Sequence, residues 1–449
     1  MKECQDSQAN SSELICKLDE KPPLGMSILL AFQHIVTAFG GIVAVPLVVS
    51  SALGLPVEGV AFMVSATIFV SGITTFIQAK KIGPIGSGLP CIMGTDFTFV
   101  APSLVVGVNM GLGLPGIFGA TILGSFSEMI LSRFIKPLMR FFPPIVTGTV
   151  VTLIGTTLLP VAMDWAAGGS HLAGTPEYGS LRNVLISVTV LLIIVFLNRY
   201  GKGIVGSASV LIGIVIGYLI CLPLNMLDLQ AVADARWFSL PQIFKYGVEF
   251  NIAALIAFIP AYLVTTIETV GVLIAVGESC ESESSNKQVA DGVLADGVGS
   301  FIAGFFGAGP NTSFSQNVGL IPLTRVASRH VVIIAGIILA ILGIFPKLAT
   351  LIAIMPNPVL GGAGIVMFGI VAASGIKTLG NVRLNNRNLI IIAVSLGIGL
   401  GITFRPDYFA QLPEILKTIF SSGISAGTVV ALLLNILLKE EKTDKPSLV

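Results

Sequence analysis

Windows of about 20 apolar residues, each long enough to cross ~30 Å of hydrocarbon as a helix, recur along this sequence from Ile28 to Leu438. A backbone in lipid has to satisfy its own polar groups, so windows of this kind predict helices rather than open sheet or loop. Composition agrees, because 54% of the residues are hydrophobic and 11% are charged, against roughly 25% charged in a soluble domain. The fold class predicted is an all-α polytopic membrane protein. Residues 1–25 are polar and lack a short apolar core with a small-residue cleavage site, which predicts a retained first span rather than a cleaved leader. The cysteines Cys4, Cys16, Cys91, Cys221 and Cys280 have neither CxxC nor metal-ligand spacing, so no disulfide framework and no metal site is expected. A net charge of +1 spread over short loops offers no face for nucleic acid.

Reading the runs against Gly, Pro and charge breaks places fourteen spans at 26–52, 58–78, 88–106, 116–138, 144–163, 183–198, 204–223, 252–276, 289–306, 312–322, 331–354, 357–376, 389–403 and 421–438. Stretch 404–420 reads as amphipathic. With both termini in the cytoplasm, only Arg182, Arg236, Lys245, Lys347, Arg405 and Lys417 of the 25 Lys and Arg fall outside. That asymmetry is the one the positive-inside rule demands. The main interruptions are an external loop at 224–250 and a polar internal loop at 277–291.

Two segments are too broken for whole helices. Gly86–Pro102 and Gly307–Pro322 each open with Gly-x-Gly and Pro, carry Thr, Ser and Phe through the middle, and close at another Pro. They fall in spans 3 and 10, which predicts seven spans per half and, the number being odd, repeats that run in opposite directions. The expected architecture is a 7+7 inverted repeat with short strands in the two broken segments. Such strands can pair with each other or with a ligand but cannot face lipid.

An ionisable group at membrane depth costs at least ~2.5–3.5 kcal/mol, so each is a candidate for function. Glu268, about two-thirds along an otherwise neutral span, can take a proton near neutral pH and release it when the site opens to the other side. The others are His34 in span 1, Asp96 in the first broken segment, Glu128 in span 4, and Asp296, read as near the inner end of span 9. Glu128 reads as packed or beside a water-filled crevice. Gln316 offers a donor and an acceptor together, the match for the O=C–N–H edge of a lactam-type base. Phe97 is placed to stack on a planar ring.

At Gln316-Asn-Val-Gly-Leu-Ile-Pro-Leu-Thr324-Arg325 the chain resembles the nucleobase–ascorbate transporters (nucleobase/cation symporter family 2), whose signature is Gln-Asn-x-Gly-x-x-x-x-Thr-Arg. The resemblance also runs through Gln33-His34, Pro90–Phe97, Phe142–Gly148, Asp164–Gly169, Ile267-Glu268, Ala295-Asp296-Gly297 and Ser328-Arg329. It implies a core domain (26–140 and 251–355) and a gate domain (141–250 and 356–438), between cytoplasmic tails 1–25 and 439–449. It also implies a homodimer in the cell membrane, with lipid around it and the proton as coupling ion without a cofactor. Glu268 and Gln316 would bind the purine base, Phe97 and Gly319 would line the pocket, and His34, Asp296 and Asn317 would support coupling and geometry. Thr324-Arg325 is similar to the ending in urate- and xanthine-transporting members. Many relatives carry a second ionisable group one turn after the span-8 glutamate, where this chain has Val272. Asp96, beside Phe97, is expected to supply that second charge.

The function expected is proton-coupled import of an oxidised purine, urate or xanthine, by alternating access. The alternatives are a permease for another nucleobase or an anion carrier of the same fold. An enzyme is not expected, because His34, His171 and His330 are unclustered and no HExxH or P-loop motif occurs.

Overall fold

The computed structural model describes residues 14–409, 411–413, 420 and 422–438. The remaining parts of the two expected tails, and Lys417, lie outside the described residues. The first half runs α1 (Leu24–Ala52), α2 (Val57–Lys80), β1 (Met93–Thr95), α3 (Val100–Leu104), α4 (Gly113–Leu131), α5 (Ile135–Phe141), α6 (Pro144–Ala166), α7 (Leu181–Tyr200), α8 (Ile204–Ser207), α9 (Ser209–Cys221) and α10 (Leu229–Asp234). The second runs α11 (Ile252–Ser279), α12 (Asn286–Phe306), β2 (Asn311–Ser313), α13 (Leu320–Thr324), α14 (Arg329–Gly343), α15 (Pro346–Ala353), α16 (Asn357–Gly380), α17 (Asn386–Phe404) and α18 (Gly423–Leu437).

Among the described residues nine helices are long and apolar enough to cross a membrane: α1, α2, α4, α6, α7, α11, α12, α16 and α17. The expected spans 3, 7 and 14 appear as shorter apolar helices at Phe97–Asn109, Ser209–Cys221 and Gly423–Leu437. Span 11 is not one helix but α14 and α15, bent by 79°. The break falls where Pro346, which has no N–H to donate, opens α15. Span 4 stops at Leu131 instead of 138, because Ser132–Phe134 close turn bonds back onto Glu128, Ile130 and Leu131 beside the cations Arg133 and Lys136. The internal loop expected at 277–291 shrinks to 280–285, since α11 runs on to Ser279 and the Ser285 side chain caps the next helix by accepting from Gln288 N. Cys91, Cys221 and Cys280 are free, and Cys16 is disulfide-bonded.

The two broken segments fold as expected into short strands, and they pair with each other. β1 and β2 are antiparallel, with Met93 opposite Ser313, Gly94 opposite Thr312 and Thr95 opposite Asn311. Each strand runs into a 3-10 turn (Phe97–Phe99, Ser315–Asn317) and then a short helix, α3 or α13. Equivalent segments that meet antiparallel at one sheet are the signature of halves with opposite orientation. All six strand residues are buried, which keeps their free backbone groups from lipid.

The helices pack in two groups. In one, α2 lies against α14, α15 and α12, and α4 against α11 and α12. In the other, α6 and α16 form the main contact, joined by α7, α9, α17 and α18. Glycine sets both crossings. A Cβ at Gly72 would sit 2.2 Å from Ala340 N, and one at Gly155 would sit 2.3 Å from Ala372 N. Backbone this close cannot yield as a side-chain tip can. Gly155→Val is therefore expected to cost about 1–3 kcal/mol and lower the melting midpoint of the purified protein; an unchanged midpoint would show that α6 and α16 have room to part.

Candidate functional site

The carboxylates and amides picked out at membrane depth gather around the β1–β2 pair. Asp96 follows β1 and caps the first 3-10 turn, its Oδ1 accepting from Thr98 N at 2.8 Å. Its Oδ2 is buried and has no hydrogen-bond partner among the described residues. The Thr98 hydroxyl points the other way and donates to Glu268 Oε2 at 3.5 Å. Thr98 thus stands between two acids, one on each half of the chain. Glu268 is half-buried and lines a cleft with Val264 of α11, Phe142, and Thr147, Val150 and Val151 of α6. That cleft is where the two helix groups face each other across a carboxylate.

Gln316 and Gly319 occupy the opposite turn, and both are exposed. A Cβ at Gly319 would meet nothing within 4 Å, so the chain leaves open space there. The exposed positions continue to Pro322 and Leu323, giving an accessible stripe down α13. Phe97 is 8% exposed and does not present a free face. Its ring meets Phe368 of α16 edge-on at 5.4 Å, and Trp165 of α6 lies 6.4 Å from Phe368. One aromatic of the first group and two of the second close the site on this side.

His34 and Asn317 hold each other rather than facing the cleft. Asn317 Nδ2 donates to the His34 carbonyl at 2.8 Å and lies 3.2 Å from its Nδ1. The amide is fixed by the carbonyl, so Nδ1 accepts and the ring proton sits on Nε2. This clamp ties α1 to the turn that carries Gln316.

Asp296 is not near the inner end of its helix. Because α12 begins at Asn286, the residue falls mid-helix, fully buried. Its Oδ1 accepts from Ser313 Oγ at 3.1 Å and Gln78 Nε2 at 3.3 Å; its Oδ2 accepts from Ser313 N at 3.1 Å and from the Thr269 hydroxyl. One carboxylate therefore pins α2, α11, α12 and β2 together. Thr269 also touches Thr312, which accepts from Thr265, so a row of hydroxyls runs along the strand pair toward Asp96 and Glu268. Glu128 is fully buried, with neither oxygen partnered among the described residues, so it is packed and borders no crevice.

Thr324 and Arg325 are not brought to the cleft. The Thr324 hydroxyl donates to Leu320 O within its own helix, and Arg325 ends that helix at a left-handed φ of 57°. Arg325 O then accepts from Ile15 N at 2.8 Å, where residues before α1 lie along the chain that follows α13. Val272, one turn after Glu268 on α11, is buried in an apolar cluster with Leu89, Leu273 and Val276. Sequence reasoning had not singled out Gln78, Thr98, Thr269 and Ser313. Gln78 was detectable as an amide inside an apolar span. The hydroxyls were not, because Ser and Thr in such helices bond their own backbone four residues back, as Thr121, Thr149 and Thr266 do here.

Residues 25–408 match the model of a family described as the Permease family. The chain belongs to this family, the nucleobase–ascorbate transporters. A Clostridium perfringens protein provisionally named a purine permease is 56% identical over 98% of this chain and 97% of its own length. The uric acid transporter UacT of Escherichia coli is 41% identical over 94% and 90%, and the xanthine permease of Bacillus subtilis 39% over 92% and 94%. Among solved structures, SLC26A9 superposes with a TM-score of 0.63 at 13% identity, covering 90% of this chain and 65% of its own. The transmembrane domain of the cyanobacterial bicarbonate transporter BicA superposes with a TM-score of 0.58 at 15% identity, covering 87% and 97%. Likeness at that identity shows a shared fold. The permease is a multi-pass protein of the cell membrane.

Proposed function

We propose that this permease imports an oxidised purine, urate or xanthine, together with protons by alternating access. The observation that supports the reading is a cleft-lining acid, Glu268, on α11 together with an exposed amide, Gln316, on the turn that follows β2, the strand paired with β1. Glu268 in its neutral form donates to a ring carbonyl, and in its charged form accepts from a ring N–H. Gln316 matches the O=C–N–H edge that urate and xanthine share. Relatives at 39–41% identity that carry uric acid and xanthine names support this substrate class. On this reading the first helix group is the core domain and the second the gate, Phe97 and Phe368 close the site on one face, and the exposed α13 stripe opens it on the other. Both termini are cytoplasmic, lipid surrounds the bundle, and the protein works as a homodimer.

The fold likeness to SLC26A9 and BicA favours a second reading, an inorganic-anion carrier. The exposed Gln316 amide weighs against it, because it matches a lactam-type O=C–N–H edge that sulfate and bicarbonate lack. Competition separates the two. Unlabelled urate and xanthine are expected to displace radiolabelled xanthine, while uracil, sulfate and bicarbonate leave it bound; displacement by sulfate or bicarbonate would favour the anion carrier.

Asp96 supplies the second charge of the site. Asn caps a helix as well as Asp does, so Asp96→Asn removes the charge and keeps the turn. Uptake is expected to fall on the order of tenfold with a displaced pH dependence. Unchanged uptake and unchanged pH dependence would show that Asp96 is a cap and nothing more.

A further inference from the structure

The mechanism above leaves one acid unused. Glu128 lies three residues before the end of α4 and has no exposed surface. Neither of its oxygens meets a donor among the described residues. The ion pairs found are Lys81–Asp291 and Arg329–Asp19, so no cation neutralises it there either. The chain at Glu249 meets the first turns of α4, at Pro115 and Gly119, and three elements make its main packing. They are α12, α11 and the π-helical turn Val105–Asn109. Of the nearby acids, Asp296 lies on α12 and Asp96 just beyond β1. From α11 the neighbouring titratable group is the Tyr262 hydroxyl, which is committed to Thr121 O at 2.8 Å. The π-helical turn carries no ionisable residue.

An ionised carboxylate with no protein donor and no cation beside it is costly to bury, so the buried form is the neutral acid. A carboxyl retained for packing or cross-linking makes hydrogen bonds, as Asp296 does with four donors. Glu128 makes none. An apolar side chain of the same size would fill its site at lower cost, which leaves the proton as the one thing the residue contributes.

We propose that Glu128 is a second proton-carrying site of the transport cycle, separate from the purine-binding acids and set on the α4–α12 interface. It binds one proton from water when that interface is hydrated, crosses as the neutral acid, and returns the same proton to water on the other side. Because α12 carries Asp296 and packs on α4, the Glu128 interface is joined through that helix to the acids around the strand pair. The inference rests on the proton-coupled reading and adds to it a residue and a count.

The test is the number of protons that enter per purine, read in proteoliposomes from the pH gradient that just balances a known purine gradient. Wild type, Glu128→Gln and Glu128→Asp are compared. Glu128→Gln is expected to lower the ratio by about one proton per purine, and Glu128→Asp to keep the ratio while moving the pH midpoint of uptake. A Glu128→Gln protein with the wild-type ratio and pH profile would overturn the proposal and make Glu128 a packing residue. If Glu128→Gln does not reach the membrane, Glu128→Asp decides: reduced uptake with an unmoved pH midpoint marks a packing defect and overturns it as well. Wild-type protein that moves purine without protons would instead remove the coupled reading on which the proposal stands.

Discussion

Replacing Glu268 with Gln is expected to cut purine uptake by on the order of a hundredfold, with the amount of protein in the membrane unchanged. The substitution keeps shape and one acceptor but removes both the charge and the exchangeable proton. Among the described residues Glu268 makes one hydrogen bond, a long one from Thr98 at 3.5 Å, and otherwise faces the cleft against α6. Little of the fold depends on it, while the bound base loses a charge-assisted bond of the kind whose truncation costs about 2–5 kcal/mol. Uptake and surface level measured together check this. Retention of more than about a tenth of wild-type uptake is smaller than that cost allows and would place the purine elsewhere.

Asp296→Asn is expected to have a comparably large effect on uptake through the opposite route, by loosening the fold. The carboxylate accepts from Ser313 N, Ser313 Oγ, Gln78 Nε2 and Thr269. An amide turns one oxygen into a donor. Facing Ser313 N–H or Gln78 Nε2, that donor leaves a buried polar group unpaired at about 1–3 kcal/mol or more, at the point where four elements meet. The purified variant is expected to melt several degrees below wild type, whereas Glu268→Gln melts with it. Equal melting of Asp296→Asn and wild type would mean that the network is not what holds β2 in place.

The difference between these two acids marks how far the sequence could be read. Glu268 was legible because a lone carboxylate in an apolar span has few structural excuses. The strands were legible because Gly, Pro, Thr and Phe at matched positions in two places forbid a whole helix in both, and antiparallel pairing follows once the repeats run in opposite directions. Asp296 was visible as a residue but misplaced in depth, since the start of α12 is fixed by the Ser285 cap rather than by hydropathy. The partners of Asp296 lie on α2, α11 and β2, hundreds of residues apart in the chain for Gln78, and a hydroxyl or amide carries no mark of which distant group it will meet. Thr324 and Arg325 show the converse. A motif marks them, yet the Thr324 hydroxyl and the Arg325 carbonyl close α13 and hold Ile15 and Cys16. The bend between α14 and α15 follows from Pro346, which hydropathy averages over.

The most direct test of the account is uptake of radiolabelled urate and xanthine, side by side, into cells expressing the protein, with and without a protonophore and with Glu268→Gln as control. Saturable uptake of at least one label, abolished by both treatments, is the predicted result, and the preferred label identifies the substrate. Uptake that survives the protonophore, or no uptake of either purine by protein present at the membrane, would contradict it.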